Sequence, residues 1–254
     1  MSAPTRSGEK QRLDELLVRH GLFPSRSRAR DAILRSAVSV DGRPVTKPGH
    51  PVSADAGIAV DDPASGYVSR GALKLIAGLD HFAINPASAV ALDIGASTGG
   101  FTQVLLQRGA TRVFCLDVGH GQLDPGLSDD PRVVNLEKLN ARELRDAHLD
   151  GQAPKMVVCD VSFISLRLAL PPALGLAAPG ASCVLLVKPQ FEAGREAIGK
   201  GGLLRDPTLG ERIAAEMCVW LGSQPGWRSL GVVPSPIEGG DGNREFLLGG
   251  VKDR

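Results

Sequence analysis

Paired cysteines are missing from this 254-residue chain. Its four cysteines, Cys115, Cys159, Cys183 and Cys218, are scattered, with no C-x-x-C spacing among them. Three fall in apolar stretches that read as core strands, where cysteine behaves as a small hydrophobe. That pattern points to a reducing cytoplasm. No His/Cys cluster offers a metal site, and none is expected. No apolar run is long enough to span a bilayer, so no membrane segment is expected. Met1 to Lys10 is polar and lacks the apolar core of a signal peptide. No internal repeat is visible.

The composition is that of a globular protein, 43% hydrophobic and 22% charged. The length suits one large domain, or one medium and one small. A net charge of +1 conceals an uneven spread, +4 over residues 1–60 and −3 over the rest. A basic module on a neutral-to-acidic body suggests attachment to a polyanion.

The chain is organised around Ala89-Val90-Ala91-Leu92-Asp93-Ile94-Gly95-Ala96-Ser97-Thr98-Gly99-Gly100-Phe101. The apolar run reads as a parallel strand buried on both faces. It ends in an acid and a turn of small residues. Gly99 and Gly100 are expected to let the backbone approach a ligand and to open the next helix, with Val104 and Leu105 inward. A second strand, Arg112 to Asp117, again ends in an acid, about 20 residues past the glycine turn, where such folds hold ribose hydroxyls. The glycines do not fit G-x-G-x-x-G, and no Gly-Lys-Ser/Thr follows, so dinucleotide and P-loop readings fail. Asp93 would repel phosphate but suits a cationic or zwitterionic ligand. Asp-x-Gly-x-x-x-Gly-Gly resembles the first motif of S-adenosylmethionine-dependent methyltransferases.

Residues 1–10 read as a disordered tail. Gln11 to His20 predicts a helix with Leu13, Leu16 and Leu17 on one face. Ser25 predicts the N-cap of a second, Arg26 to Ser36, with Ala29, Ala32 and Ile33 inward. Its other faces carry Arg26, Arg28, Arg30 and Arg35, placed to meet phosphates. Val38 and Val40 alternate with polar residues, Asp41-Gly42 makes a tight turn, and Val45 continues beyond it. Val52, Ile58 and Val60 predict another short strand pair. Arg12-Leu13-Asp14 and Val40-Asp41-Gly42-Arg43-Pro44-Val45, in this order of elements, resemble an S4 RNA-binding domain. That domain is placed at 11–62, a linker at 63–66 and a second domain at 67–254.

In the second domain a helix is expected from about Arg70 to Phe82. Further strands are expected at Val133 to Leu136, Lys155 to Asp160 and Ala181 to Val187. Helices are expected at Ala141 to Ala147, at Leu166 to Ala178 (interrupted by Pro171-Pro172) and from Pro207 to Leu221. Residues 190–206 read as a glycine-rich loop with Arg195, Lys200 and Arg205. Leu230 to Val233 and Glu245 to Leu248 close the chain as a hairpin. Alternating strands and helices imply an α/β fold, a mostly parallel doubly wound sheet with an antiparallel end. Ligands collect at the C-terminal ends of such strands. Asp93, Asp117, Asp160 and Lys188 all sit there, with Asp160 and Lys188 on neighbouring strands.

Five segments are distinctive: Ser69-Arg70-Gly71-x-x-Lys74-Leu75, Leu92 to Phe101, Asp160-Val161-Ser162-Phe163, Lys188-Pro189-Gln190-Phe191-Glu192 and Gly242-Asn243-Arg244-Glu245-Phe246. Together they resemble the TlyA family of ribosomal RNA 2′-O-ribose methyltransferases, often labelled haemolysin A. The resemblance runs from about Arg12 to the end. It implies an S4 domain and an FtsJ-like catalytic domain, a Rossmann-like seven-stranded class I methyltransferase fold. It implies S-adenosyl-L-methionine as cofactor and ribosomal RNA as partner, with a cytidine in 23S RNA as target and, in some members, one in 16S RNA. The Lys-Asp-Lys-Glu tetrad falls on Lys74, Asp160, Lys188 and Glu245. Cofactor contacts fall on Asp93, Gly95, Ser97, Thr98, Gly99, Gly100, Phe101, Asp117, Val118, Asn140 and Asp160. RNA contacts fall on Arg12, Arg26, Arg28, Arg30, Arg35, Arg43, Arg70, Arg195 and Lys200. One departure is His120, where the family usually has an aromatic.

The tetrad makes chemical sense by itself. A ribose hydroxyl is a poor nucleophile. A close ammonium stabilises the developing alkoxide, or a neutral lysine takes the proton. Asp160 and Glu245 would orient the lysines. A membrane-lytic protein is the first rival, but the chain lacks a spanning or strongly amphipathic apolar helix. A non-catalytic S4-type RNA-binding factor is the second, and the intact tetrad argues against it. A small-molecule methyltransferase would leave the basic N-terminal module unexplained.

Overall fold

A computed structural model describes residues 10–240 and 242–253 of the chain. Most of the segment expected to be a disordered tail, and Asp241 of the expected hairpin connection, lie outside the described residues. The chain divides into two compact units, Met1–Gly66 and Tyr67–Arg254.

In the first unit, helices α1 (Leu13–Arg19) and α2 (Arg26–Leu34) pack their apolar faces together. Ser25 caps α2, its hydroxyl accepting from the Arg28 amide at 3.3 Å. Gln11–Arg12 is not helical but a short strand, β1. It pairs antiparallel with β4 (Pro51–Val52). Strand β2 (Val38–Val40) is flanked by β3 (Arg43–Pro44) and β5 (Ile58–Val60). Asp41 and Gly42 both have positive φ, 49° and 76°, as a two-residue hairpin turn requires. Val52 and Ile58–Val60 were expected to pair with each other and do not. Each instead completes a different strand, because β1 and β2 both present open edges that need partners.

The second unit is a seven-stranded sheet in the order β11-β12-β10-β9-β6-β7-β8. Strands β6 (Val90–Ile94), β7 (Arg112–Asp117), β8 (Val133–Glu137), β9 (Met156–Cys159) and β10 (Ser182–Val187) are parallel to one another. Strand β12 (Phe246–Lys252) pairs antiparallel with both β10 and β11 (Trp227–Pro234). The expected doubly wound sheet with an antiparallel hairpin is therefore present. Alternation along each strand feeds two cores. Leu92, Ile94, Phe114 and Leu116 face one layer, with Ile213 and Met217 of α8 (Leu209–Gly222). Ala91, Val113 and Cys115 face the other, with Leu75 and Leu79 of α3 (Gly71–His81) and Val104 and Leu105 of α4 (Gly100–Gln107).

The expected helix over Ala141 to Ala147 is replaced by two 3-10 turns, Ala141–Glu143 and Asp146–Leu149. Extended backbone at Leu144 and Arg145 separates them. The side chains of Asn140 and His148 accept amides that a continuous helix would have used otherwise. Pro171-Pro172 separates α6 (Leu166–Ala169) from α7 (Pro171–Leu176), the prolines standing where a first turn needs no amide donor. Loop 118–131 contains one turn of helix, α5 (Pro125–Ser128). From β6 the chain moves one way to β7 and β8, and the other way to β9, β10 and β12. The sheet thus has its switch point between β6 and β9, where open α/β sheets form their crevice.

Candidate active site

The crevice at that switch point is lined by Ser69, Arg70, Gly71, Lys74, Gly95, Ala96, Ser97, Thr98, Gly100, Phe101, Asp160, Ser162 and Lys188. Three loops and the start of α3 meet there.

The glycine turn owes its glycines to the protein's own packing. A Cβ on Gly95 would lie 2.6 Å from the Asp160 carbonyl oxygen, so only glycine lets the ends of β6 and β9 stay close. A Cβ on Gly99 would meet Leu127 at 2.4 Å, and one on Gly100 would meet the Ser69 hydroxyl at 2.1 Å. Gly99 and Gly100 open α4, as expected, and Gly100 lines the crevice with Gly95, Ala96, Ser97 and Thr98, whereas Gly99 stands outside that lining.

Asp117 ends β7 and is fixed from two sides. Its Oδ2 accepts from the Ser97 amide and its Oδ1 from the Gly119 amide, both at 2.8 Å. Each carboxylate oxygen retains a free lone pair, enough for two ribose hydroxyls. The following Val118 is 68% exposed, an apolar surface for a flat ring. The turn and this carboxylate fit an adenosine and an amino-acid zwitterion.

Asp93 behaves differently from expectation. It is fully buried beneath the turn and is not part of the crevice lining. Thr102 donates to its Oδ2 at 2.7 Å, and the Cys115 sulfur lies 3.0 Å from the same hydroxyl. Burial pushes the Asp93 carboxyl up to about 7, with Asp160 and Asp117 adding repulsion against the Thr102 hydrogen bond. Its other oxygen, Oδ1, has no partner. Gly99, Asp117, Val118 and Asn140 also lie outside the crevice lining. Asn140 caps the 3-10 turn after β8.

The tetrad forms two ion pairs. Lys74, on α3, places Nζ 2.5 Å from Oε2 of Glu245, which directly precedes β12; both side chains are buried. Lys188, directly after β10, places Nζ 2.6 Å from Oδ1 of Asp160, directly after β9. The Lys188 contact to Asp160 is an ion pair off the hydrogen-bonding direction, and its aligned bond goes to Ser162 Oγ at 2.9 Å. Lys74, Asp160 and Lys188 line the crevice, and Glu245 backs Lys74 from behind. Ser162 stood in the distinctive segment Asp160 to Phe163 but was given no role of its own. Its signal is its place two residues after a strand-ending acid.

The expected RNA contacts separate into groups. In the first unit, Arg12 and Arg26 share the buried Asp14, and both lie within ion-pair distance of Glu15. Each remains about half exposed. Arg35 is instead committed inward, donating to both oxygens of Asp62 at 2.9 and 3.2 Å. Arg28 donates to the Ala64 carbonyl. Arg30 and Arg43 are exposed. In the second unit, Arg195 and Lys200 are exposed on a loop bridged at Ile198–Leu204, and Arg70 lines the crevice. Asn243 donates to the Gly202 carbonyl at 3.0 Å, tying that loop to the segment bearing Glu245.

No helix among the described residues is long and apolar enough to cross a membrane. No group of three or more metal-ligating side chains occurs among them.

Residues 67–252 match the family model of FtsJ-like methyltransferases, and residues 11–58 match that of the S4 domain. The chain is 46% identical over 241 residues to the 16S/23S rRNA (cytidine-2′-O)-methyltransferase TlyA of Mycobacterium tuberculosis, covering 94% of this chain and 89% of that protein. It is 40% identical over 236 residues to Hemolysin A of Brachyspira hyodysenteriae, covering 93% and 98%. A solved structure from Streptococcus thermophilus is 38% identical with a TM-score of 0.74, covering 96% of this chain and 89% of that one. An S4 domain joined to an FtsJ-like domain, with such identity along nearly the whole chain, makes this protein a member of the TlyA family.

Proposed function

We propose that this protein transfers a methyl group from S-adenosyl-L-methionine to the ribose 2′-hydroxyl of a cytidine in 23S ribosomal RNA, and in 16S RNA as well. The observation that carries the reading is the Lys188–Asp160 ion pair at the rim of the glycine turn, with Ser162 accepting a hydrogen bond from the same lysine. An ammonium has three donors, so Lys188, which lines the crevice, keeps N–H groups beyond the one given to Ser162.

The turn at Gly95 to Thr98 and the carboxylate of Asp117 would hold the cofactor, whose sulfonium supplies an electrophilic methyl group. The chain's task is then placement and electrostatics. The 2′-hydroxyl oxygen sits against Lys188 Nζ. As that oxygen bonds to the methyl carbon, the methyl–sulfur bond would break with its electron pair returning to sulfur, and the hydroxyl proton would leave. Lys188 would either take that proton when neutral or, as an ammonium, donate a hydrogen bond to the developing alkoxide while the proton passes to solvent. Asp160 stabilises the lysine cation in both cases. Lys74 adds a second positive charge beside the reacting oxygen, held in place by Glu245.

The first unit would hold the RNA by phosphate contacts from Arg12, Arg26, Arg30 and Arg43, with Arg195 and Lys200 of the second unit as further contacts. Ribosomal RNA as substrate implies action in the cytoplasm. The test is a map of 2′-O-methylation across 16S and 23S RNA from cells with and without the gene. One cytidine losing its methyl in each RNA is expected. Unchanged maps would reject the assignment.

A further inference from the structure

The loop that follows β9 carries Asp160 and Ser162, and packs Val161 and Ile164 against the core on either side of its centre. It runs from Asp160 to Ser165 before α6 begins. At its centre Phe163 has φ of +66° and is 91% exposed. A bulky side chain in the left-handed region is strained, and such a conformation persists only where the surroundings over-determine it.

The polar restraint comes from the segment that follows β10. Lys188 reaches Asp160 and Ser162. The Phe191 ring lies 5.2 Å from the Phe163 ring, tilted by 50°. Glu192 ends the series. Its Oε2 accepts from the Ser165 hydroxyl at 2.6 Å, and its Oε1 accepts from the Leu166 amide at 2.7 Å. Ser165 in turn caps α6, accepting from the Arg167 amide at 3.1 Å. Both oxygens of Glu192 are thus spent on the far end of the loop whose near end carries Asp160. Contacts to Ser165 and Leu166 on one side of Phe163, and to Ser162 on the other, hold the strained residue between two fixed points.

We propose that Glu192 is a positioning residue for methyl transfer, the latch that holds loop 160–165 so that Asp160 and Ser162 meet Lys188. This rests on the function proposed above. Glu192 does not line the crevice and needs no contact with substrate or cofactor. It acts on the transfer step because displacement of a reacting group by about 1 Å can cost on the order of 100-fold in rate.

The test compares wild type with Glu192→Ala, Glu192→Gln, Glu192→Asp and Ser165→Ala, using unmethylated ribosomal RNA in single-turnover transfer of labelled methyl. Glu192→Ala is expected to transfer about 10- to 100-fold more slowly, with S-adenosylmethionine and RNA affinities and Tm near wild type. Glutamine keeps the length and one acceptor oxygen, so Glu192→Gln should recover part of the rate. Aspartate keeps the charge but is too short to reach Ser165 and Leu166, so Glu192→Asp should not. Ser165→Ala combined with Glu192→Ala should be little slower than Glu192→Ala alone, since the pair acts as one unit. Amide hydrogen exchange over 160–166 should quicken in Glu192→Ala. Wild-type transfer by Glu192→Ala would overturn the proposal, as would losses in Tm and cofactor affinity that match the loss in rate. Rescue by aspartate and not by glutamine would assign a distant charge effect and overturn it too. If wild type itself transfers no methyl, the function fails first; unchanged exchange over 160–166 would then overturn the latch independently.

Discussion

Lys74 Nζ and Glu245 Oε2 lie 2.5 Å apart although 171 positions separate them in the chain. One side chain comes from the helix ahead of the sheet and the other from the lead into its last strand. Both are buried, so each charge depends on the other for its solvation.

Removing one partner should therefore cost more than a surface change. Glu245→Ala is expected to destabilise the protein by about 3–5 kcal/mol, because Lys74 is left buried and unpaired. Lys74→Met combined with Glu245→Leu should regain most of that loss and still transfer no methyl. Urea denaturation beside a transfer assay separates the two effects. A double variant with full activity would show that the pair serves folding alone.

Lys188 should separate chemistry from binding. Its charge acts on the transition state far more than on the bound substrate. Lys188→Ala is expected to abolish transfer while S-adenosylmethionine affinity stays near wild type. Lys188→Arg should not restore it, because a guanidinium is bulkier and does not give up a proton near neutral pH. RNA with a 2′-deoxy sugar at the target should bind and accept no methyl. Single-turnover transfer reads all three, and methylation of the deoxy substrate would move the chemistry from ribose to base.

Asp117 should matter to the cofactor. Asp117→Ala removes a charged acceptor and also frees the Ser97 and Gly119 amides that it fixes. S-adenosylmethionine binding is expected to weaken by about 1.5–3 kcal/mol. Calorimetric titration showing unchanged affinity would remove Asp117 from the cofactor site.

Asp93 gives a pH dependence with an unusual sign. Its folded carboxyl sits at about 7, above the ordinary 3.8 of an exposed aspartate. At acid pH both folded and unfolded forms hold the proton. As pH rises from about 4 towards 7 the unfolded chain releases it first. This group therefore subtracts stability progressively across that window, by a few kcal/mol in order of magnitude, and the loss is complete once pH passes the folded value. Asp93→Asn should remove this dependence. Thermal melts at pH 5 and pH 8 should show the variant gaining on wild type at the higher pH. An equal difference at both would mean that Asp93 is ionised throughout.

Much of this protein was decided locally. Apolar runs such as Val184-Leu185-Leu186-Val187 read as buried strands, and the residue following each run must stand at the strand's C-terminal end. That alone put Asp117, Asp160 and Lys188 at one edge of the sheet. Ser25 announced its helix because an N-cap depends on backbone within three residues. The reading of consecutive strands as neighbours also set Lys188 beside Asp160, and the sheet order agrees. The bond from Lys188 to Ser162, and the placement of β12 beside β10 that brings Glu245 to Lys74, have no local signal. The burial of Asp93, the internal commitment of Arg35 to Asp62 and the latch from Glu192 to Ser165 likewise arise from packing. A side chain's period and propensity are written within a turn or two of chain, whereas its solvation and its partners are fixed only when distant segments close around it.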